Sequence, residues 1–143
     1  MKVQLYAQTQ KSKTEQKLAL YSDRIPAGFP SPADDFLESK LDLNDYLIDK
    51  PNSTFLVKAS GESMIEAGIF NTDLLVVDRS IRPQSNHIVI AAINGELLVK
   101  RFIQKGTRCE LHSANNNYPP IPLTEEDDLV IWGVVTYVIH KPV

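Results

Sequence analysis

The chain has 143 residues, 43% of them hydrophobic, with a formal net charge of −3 and a pI of about 5.6. This sets one globular domain with room for an appended arm and implies no basic nucleic-acid surface, so no direct sequence-specific DNA binding is expected. No apolar run approaches the roughly 20 residues of a membrane span, no signal peptide opens the chain, and the single Cys109 excludes an internal disulfide. A cytoplasmic protein with no membrane partner is expected.

Residues 1 to about 23 are polar and lysine-rich, with Leu18, Leu20 and Tyr21 as the few anchors, and read as a mobile arm. The strip Arg24-Ile25-Pro26-Ala27-Gly28-Phe29-Pro30-Ser31-Pro32 follows. Its prolines exclude a helix and deny a sheet its donors, so it is expected to be extended and exposed. On composition alone it is a Pro-rich linker. Residues 34–48 carry apolar spacings of three and four that suit one short helix or two helical turns.

From Thr54 the pattern turns to β. Strands are predicted over Thr54–Ala59, Leu74–Arg79, His87–Ile93, Glu96–Gln104, Thr107–His112 and Leu129–His140, with turn-rich stretches between them. The fold class is therefore mostly β, a folded antiparallel sheet or barrel. Asn94-Gly95 is a strong type I′ hairpin signal, and its two-residue register pairs Ile93 with Glu96 and Val89 with Lys100.

That register puts Lys100 on a paired strand whose alternation gives it the apolar flanks Leu98 and Phe102. A lysine without water or a nearby carboxylate loses its proton more readily. A useful base at neutral pH needs a value about three units below the free lysine, about 4 kcal/mol of differential stabilisation. Ser63 lies in the small-residue turn Ala59-Ser60-Gly61-Glu62-Ser63-Met64, just after the apolar run Phe55-Leu56-Val57. A neutral lysine beside a serine hydroxyl can make a nucleophile of it without histidine or aspartate. Taken singly, each has an ordinary reading, as a turn serine and a strand lysine that snorkels to water.

The turn misses the hydrolase elbow Gly-x-Ser-x-Gly, because Ile65 occupies the last position. An oxyanion hole is then left to the backbone amides around the serine, those of Glu62 and Ser63. Ala27-Gly28 is the least bulky bond of the proline strip and its candidate scissile bond. Cys109 is the rival nucleophile. His112 stands three residues on, on the opposite face of a strand, so the two form no ready dyad. His87, His112 and His140 have no ligand spacing, and no metal or other cofactor is expected.

These residues together resemble the UmuD/LexA family of self-cleaving serine–lysine proteins. The resemblance runs from about Gly28 to the C-terminus. It is carried by the Ala-Gly strip with its Phe-Pro-Ser-Pro-Ala continuation, Asp42-Leu43-Asn44, Val57-Lys58-Ala59-Ser60-Gly61-Glu62-Ser63-Met64-Ile65, Asp73-Leu74-Leu75-Val76-Val77-Asp78, Val99-Lys100-Arg101 and Gly133-Val134-Val135. It implies Ser63 as nucleophile, Lys100 as general base and Ala27-Gly28 as the self-cleaved bond. Residues 1–27 would then be the arm removed, and residues 28–143 a β-rich, homodimeric peptidase domain.

The family's repressors carry a helix-turn-helix domain before the cleavage site. Only 27 residues precede Gly28, so the UmuD-like branch is expected. It implies an SOS-response mutagenesis protein cut under stimulation by a RecA nucleoprotein filament, whose processed form partners a UmuC-like error-prone polymerase subunit. A different class of reading is a non-catalytic dimeric β-sheet interaction module. A third, a leader-peptidase-like protease acting on other proteins, lacks the membrane anchor. Two positions depart from the family, Thr72 and Asn86-His87 where Gly-Asp is usual. Asn86 can take a left-handed conformation, whereas Thr72 does so only with strain, so a local difference is expected there.

Overall fold

A computed structural model describes residues 1–8, 17–21, 37–122 and 129–143. The chain separates into two compact units, Met1–Thr9 with Lys50–Val143, and Gln10–Asp49. In the smaller unit β2 (Lys17–Tyr21) pairs antiparallel with β3 (Leu37–Asp42), which runs directly into the one-turn helix α1 (Leu43–Leu47). Asp42 starts that helix, its Oδ1 accepting from the amide of Asn44 at 2.9 Å. Only the second half of the expected helical stretch is helical. From Leu37 to Asp42 it is β, because every residue there except Glu38, which is skipped at a register shift, pairs with β2. The proline strip, with Ala27 and Gly28, lies outside the described residues.

In the larger unit β4 (Thr54–Ser60), β5 (Leu74–Asp78), β6 (Ile88–Ile93), β7 (Glu96–Lys105), β8 (Arg108–His112) and β10 (Leu129–Ile139) follow the alternation that predicts them, with shifts of one residue at some ends, and the two-residue β9 (Ile121–Pro122), which the pattern does not predict, pairs with β8. The expected hairpin is present. Ile93 pairs with Glu96 and Val89 with Lys100, and Asn94 and Gly95 take the positive φ values, 49° and 86°, that a type I′ turn requires. The sheet order is β1-β4-β5-β10-β6-β7-β8-β9, all antiparallel, and β1 (Lys2–Gln8) also pairs with β7 through Lys2 and Leu98. Six strands thus close into a barrel. One core cluster includes Val57, Met64, Ile69, Leu75, Ile90 and Val99, and a second is built from Val89, Ala91, Phe102, Leu111 and Val134. Among the described residues no helix is long and apolar enough to cross a membrane.

Two expectations change. Residues 2–8, expected within a mobile arm, form a strand paired with β4 from Lys2–Ser60 to Gln8–Phe55. An edge strand needs only backbone donors and acceptors with an apolar anchor, and Met1, 7% exposed within the core, supplies the anchor. The polar composition of this stretch therefore does not prevent order. Thr72 does adopt the left-handed conformation, at φ 73°, as Asn86 does at 77°. The Thr72 amide donates to the carbonyl of Ala59 at 2.9 Å, and the Ala59 amide to that of Asp73 at 2.8 Å. These bonds offset strain of about 1–3 kcal/mol.

Gly133 stands where β10 passes tightly against β5, at a register shift in β10. A Cβ there meets Val77 Cγ1 at 2.6 Å and the carbonyl oxygen of Asp78 at 3.3 Å. Gly133→Ala is expected to destabilise the fold by about 1–3 kcal/mol, read as a lower urea midpoint.

Candidate active site

Ser63 stands in the turn that leaves β4. Gly61 opens it at φ 101°, and its amide donates to Asn71 Oδ1 at 3.0 Å. Met64, fully buried, pins the turn from inside, and a single 3-10 turn, Ile65–Ala67, continues the chain. The apolar anchor next to the serine fastens this turn to the core. Ser63 itself is 1% exposed. Among the described residues, the amides of Glu62 and Ser63 donate to no acceptor.

Lys100 sits in the middle of β7 and is 5% exposed. Its strand neighbour on β6 is the buried Val89, so the alternation that brings Phe102 into the core also brings in the lysine stem. Burial pushes the Lys100 ammonium below its ordinary value of 10.5. Its Nζ donates to Ser113 Oγ at 2.6 Å.

The segment after β8 links the two residues. Lys100 holds Ser113, and the next amide, that of Ala114, donates to the carbonyl of Ser63 at 2.8 Å. The Glu66 amide donates to the carbonyl of Ala114 at 2.8 Å, and Asn115 Nδ2 to the carbonyl of Glu62 at 2.9 Å. Consecutive residues thus tie the serine turn to the lysine strand.

A third group completes the cluster. The Met1 amine donates to Ser63 Oγ, and the Met1 carbonyl accepts from the Val99 amide at 2.8 Å. Burial, then the charges of Lys100 and Lys2, push this amine down to about 6. The hydroxyl of Ser63 is therefore held by Met1 and the amine of Lys100 by Ser113. A polar arm gives no hint of Met1 in this role. Ser113 has a signal: Gly106-Thr107 turns β7 into β8 with Lys105 opposite Arg108, and the same register carried five residues on sets Lys100 opposite Ser113.

The rival nucleophile is placed differently. Cys109 packs against the core cluster around Leu111, whereas His112 alternates to the other face, its Nε2 lying 3.4 Å from Glu110 Oε2. His140 follows the end of β10, its Nδ1 2.6 Å from Oδ1 of the buried Asp73.

A family profile described as Peptidase S24-like matches residues 19–136. Protein ImpA of Salmonella typhimurium is 49% identical over 122 residues, covering 85% of this chain and 83% of that protein. Protein MucA of Escherichia coli is 37% identical over 145 residues, covering 100% and 98%. The LexA repressor of Photorhabdus laumondii is 37% identical over 119 residues, covering 82% of this chain and 59% of the repressor. With a family match over most of its length and a relative aligned end to end, on a barrel carrying a buried serine and a buried lysine, this chain belongs to the Peptidase S24-like family.

Proposed function

We propose that the protein is a self-processing serine peptidase that cuts its own Ala27–Gly28 bond with Ser63 as nucleophile and Lys100 as general base. The observation that carries this reading is the desolvated lysine amine, tied through Ser113 and Ala114 to the turn of a buried serine. Neutral Lys100 takes the proton of Ser63 Oγ as the oxygen bonds to the Ala27 carbonyl carbon. The oxyanion so formed is held by the amides of Glu62 and Ser63. The ammonium then returns its proton to the Gly28 nitrogen as the C–N bond breaks, and water releases residues 1–27 from the ester by the same exchange. No metal enters these steps.

Family membership and resemblance support a biological setting as well. The reading is an SOS-response mutagenesis protein of the cytoplasm, a homodimer whose cleavage a RecA filament stimulates. Its trimmed form, residues 28–143, serves a UmuC-like translesion polymerase subunit.

Incubating the purified chain with an activated recombinase filament tests the reading by mass spectrometry. The expected large fragment begins at Gly28 and ends at Val143, and Gly28→Glu or Ala27→Asp blocks its appearance with the dyad intact. A large fragment beginning elsewhere refutes the assigned bond. A chain that stays whole under activation and at alkaline pH supports a dimeric interaction module instead.

A further inference from the structure

We propose that Ser113 is the positioning residue of the lysine base, its hydroxyl fixing the Lys100 amine so that the nitrogen lone pair faces the Ser63 turn. This rests on reading Ser63 and Lys100 as the dyad.

The argument starts from the side chain. A lysine stem has four rotatable bonds and correspondingly large rotamer freedom. β7 fixes where the stem begins and Val89 on β6 packs beside it, but neither determines where the amine ends. The 2.6 Å bond to Ser113 Oγ does. A neutral amine has two N–H groups and one lone pair, so donating one N–H to Ser113 leaves the lone pair free for the proton of Ser63. Ser113 is itself held, because the amide after it bonds to the Ser63 carbonyl. The base is thus measured from the same backbone as the nucleophile, and a small displacement of the barrel moves both together. Placement of this kind matters, since a misplacement of about 1 Å in a reacting group reduces rate by about a hundredfold.

The surroundings make the bond readable by titration. Just ahead of β1 the Met1 amine faces the site, its value lowered first by burial and then by the charges of Lys100 and Lys2. Arg101 on β7 itself and Glu110 and His112 on β8 are near in sequence or register, but Arg101 pairs with His112 and Glu110 with Ile103, so all three alternate to the other face. From β6 the partner is the apolar Val89. Ser113 is the one hydroxyl bonded to Nζ among the described residues. A hydroxyl that accepts from an amine favours the protonated form, so losing it lowers the amine's pKa further.

The experiment compares wild type, Ser113→Ala and Ser113→Thr as full chains of native circular dichroism, following spontaneous cleavage across alkaline pH. In parallel, the ¹³Cε resonance of Lys100 is titrated in a Ser63→Ala background, where nothing is cut. Ser113→Ala is expected to reduce the plateau rate at least tenfold, to move the rate midpoint to lower pH, and to move the Lys100 titration the same way. Ser113→Thr restores all three. A Ser113→Ala protein with the wild-type Lys100 titration overturns the inference, whether or not the chain cleaves. So does a reduced plateau with an unmoved midpoint, which marks a structural role alone. Failure of the dyad shows separately, as cleavage that survives Ser63→Ala.

Discussion

Replacing Ser63 by alanine is expected to abolish cleavage at Ala27–Gly28 while leaving the barrel folded. The hydroxyl contributes one hydrogen bond, to the Met1 amine, and the turn keeps its hold through Met64 and the Ala114 amide. Lys100→Ala is expected to abolish cleavage too, but it also removes a buried stem packed beside Val89. Lys100→Met keeps that stem without the amine and is the cleaner variant. Both losses should exceed about a hundredfold, the usual scale of removing a positioned acid–base group. Cys109→Ser should cut at the wild-type rate. Mass spectrometry at fixed times after alkaline activation measures all of them. A Cys109→Ser protein that stays whole beside a Ser63→Ala protein that cuts reverses the assignment of the nucleophile.

The second large effect is on pH. Only the neutral amine accepts the serine proton, so the rate of spontaneous cleavage should rise about tenfold per pH unit and level off above the pKa of Lys100. Burial lowers that pKa, so the plateau is reached below 10.5. A rate that stays flat from about pH 7 to about pH 10 removes lysine as the base. Stability carries the matching sign. The folded state disfavours the protonated amines of Lys100 and Met1, so the unfolded chain binds more protons wherever pH lies between the folded and unfolded values. For Met1 that window runs from about 6 to 8.0, and stability should rise with pH across it. For Lys100 the rise falls between its lowered value and 10.5 and is missing in Lys100→Met. Melting temperatures from pH 5.5 to 8.5 check the first, and urea midpoints at alkaline pH the second.

Much of the barrel can be read from residue patterns because it is made of short antiparallel strands joined by turns with their own signals. Asn94-Gly95 determines the register of β6 and β7, and that register places Lys100 beside Val89. The serine turn is legible from Gly61 and its neighbours. Other features depend on tertiary partners. Lys2–Gln8 looks like any polar lead-in until β4 offers its edge. Leu37–Asp42 has helical spacing but is β because β2 lies beside it. Thr72 carries a strained φ that its own preference opposes, held by the bond to Ala59. The Lys100–Ser113 pair was within reach, since it follows from one hairpin register carried past the end of β8.

The Met1 amine on Ser63 Oγ has a practical consequence for anyone handling the protein. A purification tag fused ahead of Met1 turns that amine into an amide, adds chain where the strand meets the barrel wall, and displaces the group that shares a hydrogen bond with the serine. Such a preparation carries a different first strand and a different occupant of the serine, and its kinetics describe the fusion. A handle after Val143 leaves that end untouched, because the chain there is fully exposed. The location of the tag becomes an experimental variable, to be matched between every pair of variants compared.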